Sequence, residues 1–158
     1  MNKGKLNILC GISNSGKTTW ATQLIEEFTD SHIRVCRDEI RNRLFGYNDV
    51  TINQYYLRKD FNKKEKEVTM EEDTLILNGL EMNKTVIVDA THLQIKYLEK
   101  YKVLNVPTAI TYFPISVDVA MLRNEKRARK VDINIIRKQY SMYNQLVNQL
   151  KNTPIDFT

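Results

Sequence analysis

A chain of 158 residues, 42% hydrophobic and 27% charged, is sized and composed for one folded domain with a single sizeable core, which excludes a disordered tail. Its net charge of +5, from 24 Lys and Arg against 19 Asp and Glu, suits a polyanionic partner without requiring one. The N-terminal Met1-Asn2-Lys3-Gly4-Lys5 precedes too few apolar residues for a signal peptide or a membrane span, so a cytosolic protein without membrane partners is expected.

Leu6 to Cys10 reads as a buried strand, and residues 11–18, Gly-Ile-Ser-Asn-Ser-Gly-Lys-Thr, form a complete G-x-x-x-x-G-K-[ST] loop. Apolar residues at 20, 21, 24, 25 and 28 then recur at helical spacing, predicting a helix over 17–28. Strand, loop and helix together give the pattern a mechanism. The amides of Gly11, Ser13, Asn14, Ser15, Gly16 and Thr19 and the positive helix end receive phosphate oxygens. Lys17 reaches the β- and γ-phosphates, and the Thr18 hydroxyl holds Mg²⁺. The expected ligand is ATP or another nucleoside triphosphate with Mg²⁺.

Further strands are predicted at 33–36, 85–89 and 108–113, and helices near 38–45, 63–82, 94–104, 116–128 and 133–150. Their alternation predicts an α/β fold, a parallel sheet of about four strands with helices on both faces. The stretch 46–60 reads as a loop with short helical pieces. Its Tyr47, Tyr55 and Tyr56 suit either base stacking or core packing. The stripe of Ile133, Ile136, Tyr140, Tyr143, Leu146, Val147 and Leu150 is expected to pack on the sheet. Cys10 and Cys36 are expected to be buried and reduced.

Ligands of such sheets bind beyond the carboxyl ends of the strands. After the second strand stands Asp38, either a first-turn acid complementing the helix dipole or a general base for an attacking hydroxyl. Arg41, one turn on, either holds a phosphate beside it or pairs with a nearby acid. After the third strand, Asp89 is either a turn residue or the acid ordering the magnesium shell, with Thr91 beside it; His92 reads as structural. After the fourth come five cations in eight residues, Arg123 to Lys130, a solvated face or a lid that brings Arg127, supported by Arg123 on the same helix face, onto the phosphates.

These segments together resemble the kinase domain of phage polynucleotide 5′-kinases. Ser15-Gly16-Lys17-Thr18-Thr19-Trp20 is similar to that family's loop followed by tryptophan, with Asn14 where glycine is frequent. Arg37-Asp38-Glu39-Ile40-Arg41 resembles its general-base segment, Asp89-Ala90-Thr91-His92-Leu93 its third-strand turn, and Arg123-Asn124-Glu125-Lys126-Arg127 its lid; Asp132 stands where proline is common. The resemblance implies a P-loop kinase fold and an ATP-dependent enzyme acting on 5′-hydroxyl ends of DNA or RNA. Asp38, Lys17 and Arg127 would be catalytic, with Arg41, Asp89 and Thr91 toward the acceptor. No Asp-x-Asp occurs, so a single kinase domain over 1–158 without the family's phosphatase domain is expected. Two alternatives share the loop: a small-molecule kinase, and a non-catalytic nucleic-acid-binding or NTP-switch module.

Overall fold

Alternation along the first strand sets the two faces of the sheet. In the computed structural model, which describes residues 3–48 and 51–158, β1 (Lys5–Cys10) sends Leu6, Ile8 and Cys10 into one core and Leu9 into another. Strands β2 (His32–Cys36), β3 (Thr85–Asp89) and β4 (Thr108–Tyr112) join it in the order β2-β3-β1-β4, all parallel. Leu6 stands opposite Val86 on one side and Thr108 on the other. Parallel strands need crossover connections, and the helices that make them cover both faces.

On one face, α1 (Lys17–Glu27) lays Trp20, Ala21, Leu24 and Ile25 against Leu9 and Ile87. The other face carries the larger core. There α2 (Arg37–Phe45) contributes Ile40, and α4 (Phe61–Glu81) Val68, Ile76 and Leu80. Helix α5 (Ile95–Glu99), which continues as a 3₁₀ turn over Lys100–Leu104, adds Leu98 and Tyr101. Helix α7 (Ile133–Asn152) closes this core with Ile136, Tyr143, Leu146 and Leu150. Its predicted stripe packs as expected except at Ile133, which is exposed at the helix start.

The strands fall within a residue or two of their predicted bounds. One helix is shorter than its periodicity implies: α6 spans Val117–Glu125 instead of 116–128. The side chain of Asn124 accounts for its end. Its Oδ1 accepts from Val131 N at 2.9 Å and its Nδ2 donates to Val131 O at 2.7 Å, folding the chain back as a loop. Helix α3 (Ile52–Tyr56) is the helical piece within 46–60; residues 49 and 50 of that stretch, like Met1 and Asn2, lie outside the described residues. Cys10 is buried as expected, whereas Cys36, at the open end of β2, is only half-buried. Among the described residues no helix is long and apolar enough to cross a membrane.

Candidate active site

The loop between β1 and α1 is built on two left-handed residues, Asn14 (φ 68°) and Gly16 (φ 97°). Asparagine tolerates this backbone region better than most side chains, which explains how it stands there. Gly11 is required for space: a Cβ would lie 2.7 Å from Ser15 Oγ and 2.9 Å from Phe113 Cβ. Its amide donates to Thr91 O at 3.1 Å, so Gly11 anchors the loop from beneath. Lys17 is buried at the start of α1 and donates to Gly11 O (3.0 Å), Ile12 O (2.7 Å) and Ser15 Oγ (3.3 Å). Burial drives its pKa down to about 8, against the attraction of Asp89.

Asp89 ends β3 almost fully buried and meets α1 directly: Thr18 Oγ1 donates to its Oδ2 at 3.1 Å. Arg34 on β2 neutralises the same oxygen, with Nε and NH2 both at 2.8 Å. No group of three or more His, Cys, Asp or Glu able to hold a metal exists among the described residues. A hydroxyl and a carboxylate side by side at the phosphate loop nevertheless fit Mg²⁺, a hard cation that takes few protein oxygens and fills its shell with phosphates and water. His92 (φ 49°) turns inward and is structural. The Leu9 carbonyl can only accept, so His92 Nδ1 donates to it at 2.6 Å and Nε2 accepts from Tyr101 OH at 3.2 Å. Burial lowers its pKa, which keeps the ring neutral.

Across the cleft, α2 starts immediately after β2 and puts Asp38 in its first turn. Two guanidinium groups share this carboxylate: Arg41 NH1 donates to Oδ1 and Arg129 NH1 to Oδ2, both at 2.7 Å. Arg41 is buried and held by Glu65 on α4, through Nε (3.1 Å) and NH2 (2.6 Å). Burial alone would raise the Glu65 pKa; hydrogen bonds from Arg41 and Tyr55 outweigh it and bring the carboxyl down to about 2. The tyrosines divide. Tyr55 is a core residue whose hydroxyl donates to Glu65 at 2.6 Å, whereas Tyr47 and Tyr56 line the cleft.

The fourth-strand cations reach the loop through Asn14. Arg123 NH1 donates to Asn14 O at 3.0 Å, and Arg127 NH1 to Asn14 Oδ1 at 2.5 Å. The two arginines converge without sharing a helix face, because α6 ends at Glu125 and Arg127 stands on the loop that Asn124 folds back. Asn14 Nδ2 also meets Ala120 O and Asn124 Oδ1 at 3.3 Å, and Ser13 N donates to Gln139 on α7 at 2.8 Å. Asp132 begins α7 by accepting from Asn134 N at 2.7 Å.

One cleft of about 1200 Å³, at the carboxyl ends of the strands, is lined by residues 13–19, Asp38, Arg41, Asp89, Thr91, Arg123 and Arg127. Every expected site residue but Gly11 therefore faces the same space. Arg34, Arg129 and Glu65 also shape it and escaped sequence reasoning. Arg34 lies mid-strand and Glu65 on a distant helix, with no local motif; Arg129 sat within the basic run but at no helical spacing from Arg123.

Residues 6–147 match the protein family described as AAA domain. No curated protein matches the chain. Among solved structures it is similar to a chain of the Pnkp1/Rnl/Hen1 RNA repair complex, with 24% identity and a TM-score of 0.79 over 100% of this chain and 48% of that one. A second structure of the Pnkp1/Rnl/Hen1 complex matches at 24% identity and a TM-score of 0.64, over 84% and 42% of the respective chains. Shikimate kinase from Acinetobacter baumannii, in complex with shikimate, matches at 15% identity and a TM-score of 0.55, over 94% and 80%. The chain thus spans about half the length of the repair-complex chains, and these likenesses establish a shared fold.

Proposed function

The chain belongs to the AAA domain family and has the fold of a P-loop kinase, and from that premise we propose that it transfers the γ-phosphate of ATP, or another NTP, to the 5′-hydroxyl end of DNA or RNA. The observation that carries this reading is Asp38, a carboxylate clamped between arginines in the same cleft as the phosphate loop.

In this mechanism Lys17 and the amides of residues 13–19 hold the nucleotide phosphates. Thr18 and Asp89 would hold Mg²⁺, which when bound supplies charge neutralisation at the phosphates. Asp38 accepts the 5′-hydroxyl proton as that oxygen bonds to the γ-phosphorus, while the bond to the β,γ-bridging oxygen breaks and ADP leaves. Arg127 and Arg123 lie over the loop, where cations stabilise a dissociative transition state. Arg41 orients Asp38 and, lining the same cleft, is placed to meet an acceptor phosphate.

The likeness to an RNA repair complex and the net charge of +5 support a nucleic-acid acceptor. Likeness to shikimate kinase favours one rival, a small alcohol as acceptor. A competition assay separates them: labelled γ-phosphate is offered to a 5′-hydroxyl oligonucleotide together with free nucleosides and shikimate. Label on the oligonucleotide is expected; label confined to a small alcohol would overturn the reading.

A further inference from the structure

Both oxygens of Asp38 are engaged, yet the two arginines that engage them are anchored differently. Arg41 is buried and tied to Glu65 through two further nitrogens, so it keeps its place whatever enters the cleft. Arg129 stands on the loop between α6 and α7, which the Asn124–Val131 pair holds at its ends and the Arg127–Asn14 bond holds near its start. Beyond Asp38 its polar neighbour is Tyr56, and its Nε is buried with no hydrogen-bond partner. A guanidinium with a donor unsatisfied is poised for a better acceptor.

We propose that Arg129 is a second determinant of acceptor specificity beside Arg41: it joins in reading a phosphate next to the reacting hydroxyl, leaving Asp38 Oδ2 for that phosphate. The inference rests on the phosphotransfer reading above and deepens it. A phosphodiester matches a carboxylate in charge and a phosphate monoester exceeds it, and either can take a guanidinium through two parallel bonds where Asp38 takes one, so the exchange is favourable. The Arg129–Asp38 hydrogen bond breaks and an Arg129–phosphate contact forms. Oδ2 is then open to accept the hydroxyl proton as that oxygen joins the γ-phosphorus and ADP departs. An alcohol without a neighbouring phosphate leaves Oδ2 clamped and reacts slowly. Tyr47 and Tyr56, which line the same cleft, suit a nucleobase attached to such a phosphate.

The test compares wild type, Arg129→Ala and Arg129→Lys on three acceptors: a nucleoside, its 3′-monophosphate and a 5′-hydroxyl oligonucleotide, with kcat and KM measured separately. Wild type should prefer the phosphorylated acceptors. In Arg129→Ala that preference in kcat/KM should shrink by roughly tenfold or more. Its kcat on the plain nucleoside should rise, because the clamp on Oδ2 is gone. Arg129→Lys, which keeps the charge and loses the fork, should retain part of the preference. An unchanged preference in Arg129→Ala overturns the inference, as does an equal loss on all acceptors, the mark of a residue that only shapes its loop. If wild type phosphorylates none of the three, the end-kinase reading fails and this inference with it.

Discussion

Lys17 illustrates how a functional charge is held at a site that disfavours it. Burial brings its pKa down to about 8, so the charged form exists below that pH and is lost above it. Nucleotide capture should follow: kcat/KM for ATP is expected to fall as pH rises through about 8, since that ratio reports the free enzyme. A profile flat to pH 10 would contradict it. Glu65 presents the opposite sign. Its carboxyl is held at about 2 instead of the ordinary 4.5, so its stabilising contribution is full above 4.5 and is lost as pH falls toward 2. Glu65→Gln should destabilise by about 1–3 kcal/mol at neutral pH, by weakening the contacts of a buried guanidinium. The variant's acid-unfolding curve should be flatter than wild type between pH 4.5 and 2. Asp38 and Lys17 were legible in the sequence because they sit at element starts that follow apolar strands. Glu65 and Arg34 were not, because their partners lie at 24 and 55 residues' remove.

At the scale of elements, the loop between α6 and α7 is where sequence and structure part. Helical spacing of Arg123 and Arg127 implied a continuous helix, but periodicity does not register a side chain that imitates a backbone pair. Asn124 does so at Val131, and the folded-back loop brings Arg127 to Asn14 and Arg129 to Asp38. Asn124→Ala would leave both Val131 backbone groups without these partners. A loss of about 1–3 kcal/mol in denaturant unfolding is expected. On the proposed reading the KM for ATP should rise as well, since Arg127 loses the frame that brings it to the phosphate loop; an unaltered KM would show that the loop holds itself. Strand positions, by contrast, were readable almost to the residue. Short apolar runs bounded by polar turns have few alternative structures in a parallel sheet.

For the whole molecule, the order β2-β3-β1-β4 gathers the ends of all four strands on one side, and with them the phosphate loop, Asp38, Asp89 and the arginines of α6 and the α6–α7 loop. That convergence was foreseeable from the pattern of strands and helices, which is why the expected residues meet in a single cleft. The surroundings of Asp38 and Arg41 were not, because they depend on side chains brought together from α2, α4 and the α6–α7 loop. An acceptor bound through its phosphates should show salt-dependent capture: KM for oligonucleotides is expected to rise with ionic strength, while KM for free nucleosides stays nearly constant. The most direct measurement is transfer of labelled γ-phosphate from ATP to 5′-hydroxyl DNA and RNA oligonucleotides by wild type and Asp38→Asn. Labelled ends that fall by roughly 10²-fold or more in the variant are the predicted result. Labelling within a few-fold of wild type in Asp38→Asn, or none on either polymer from protein that binds ATP, would contradict the account.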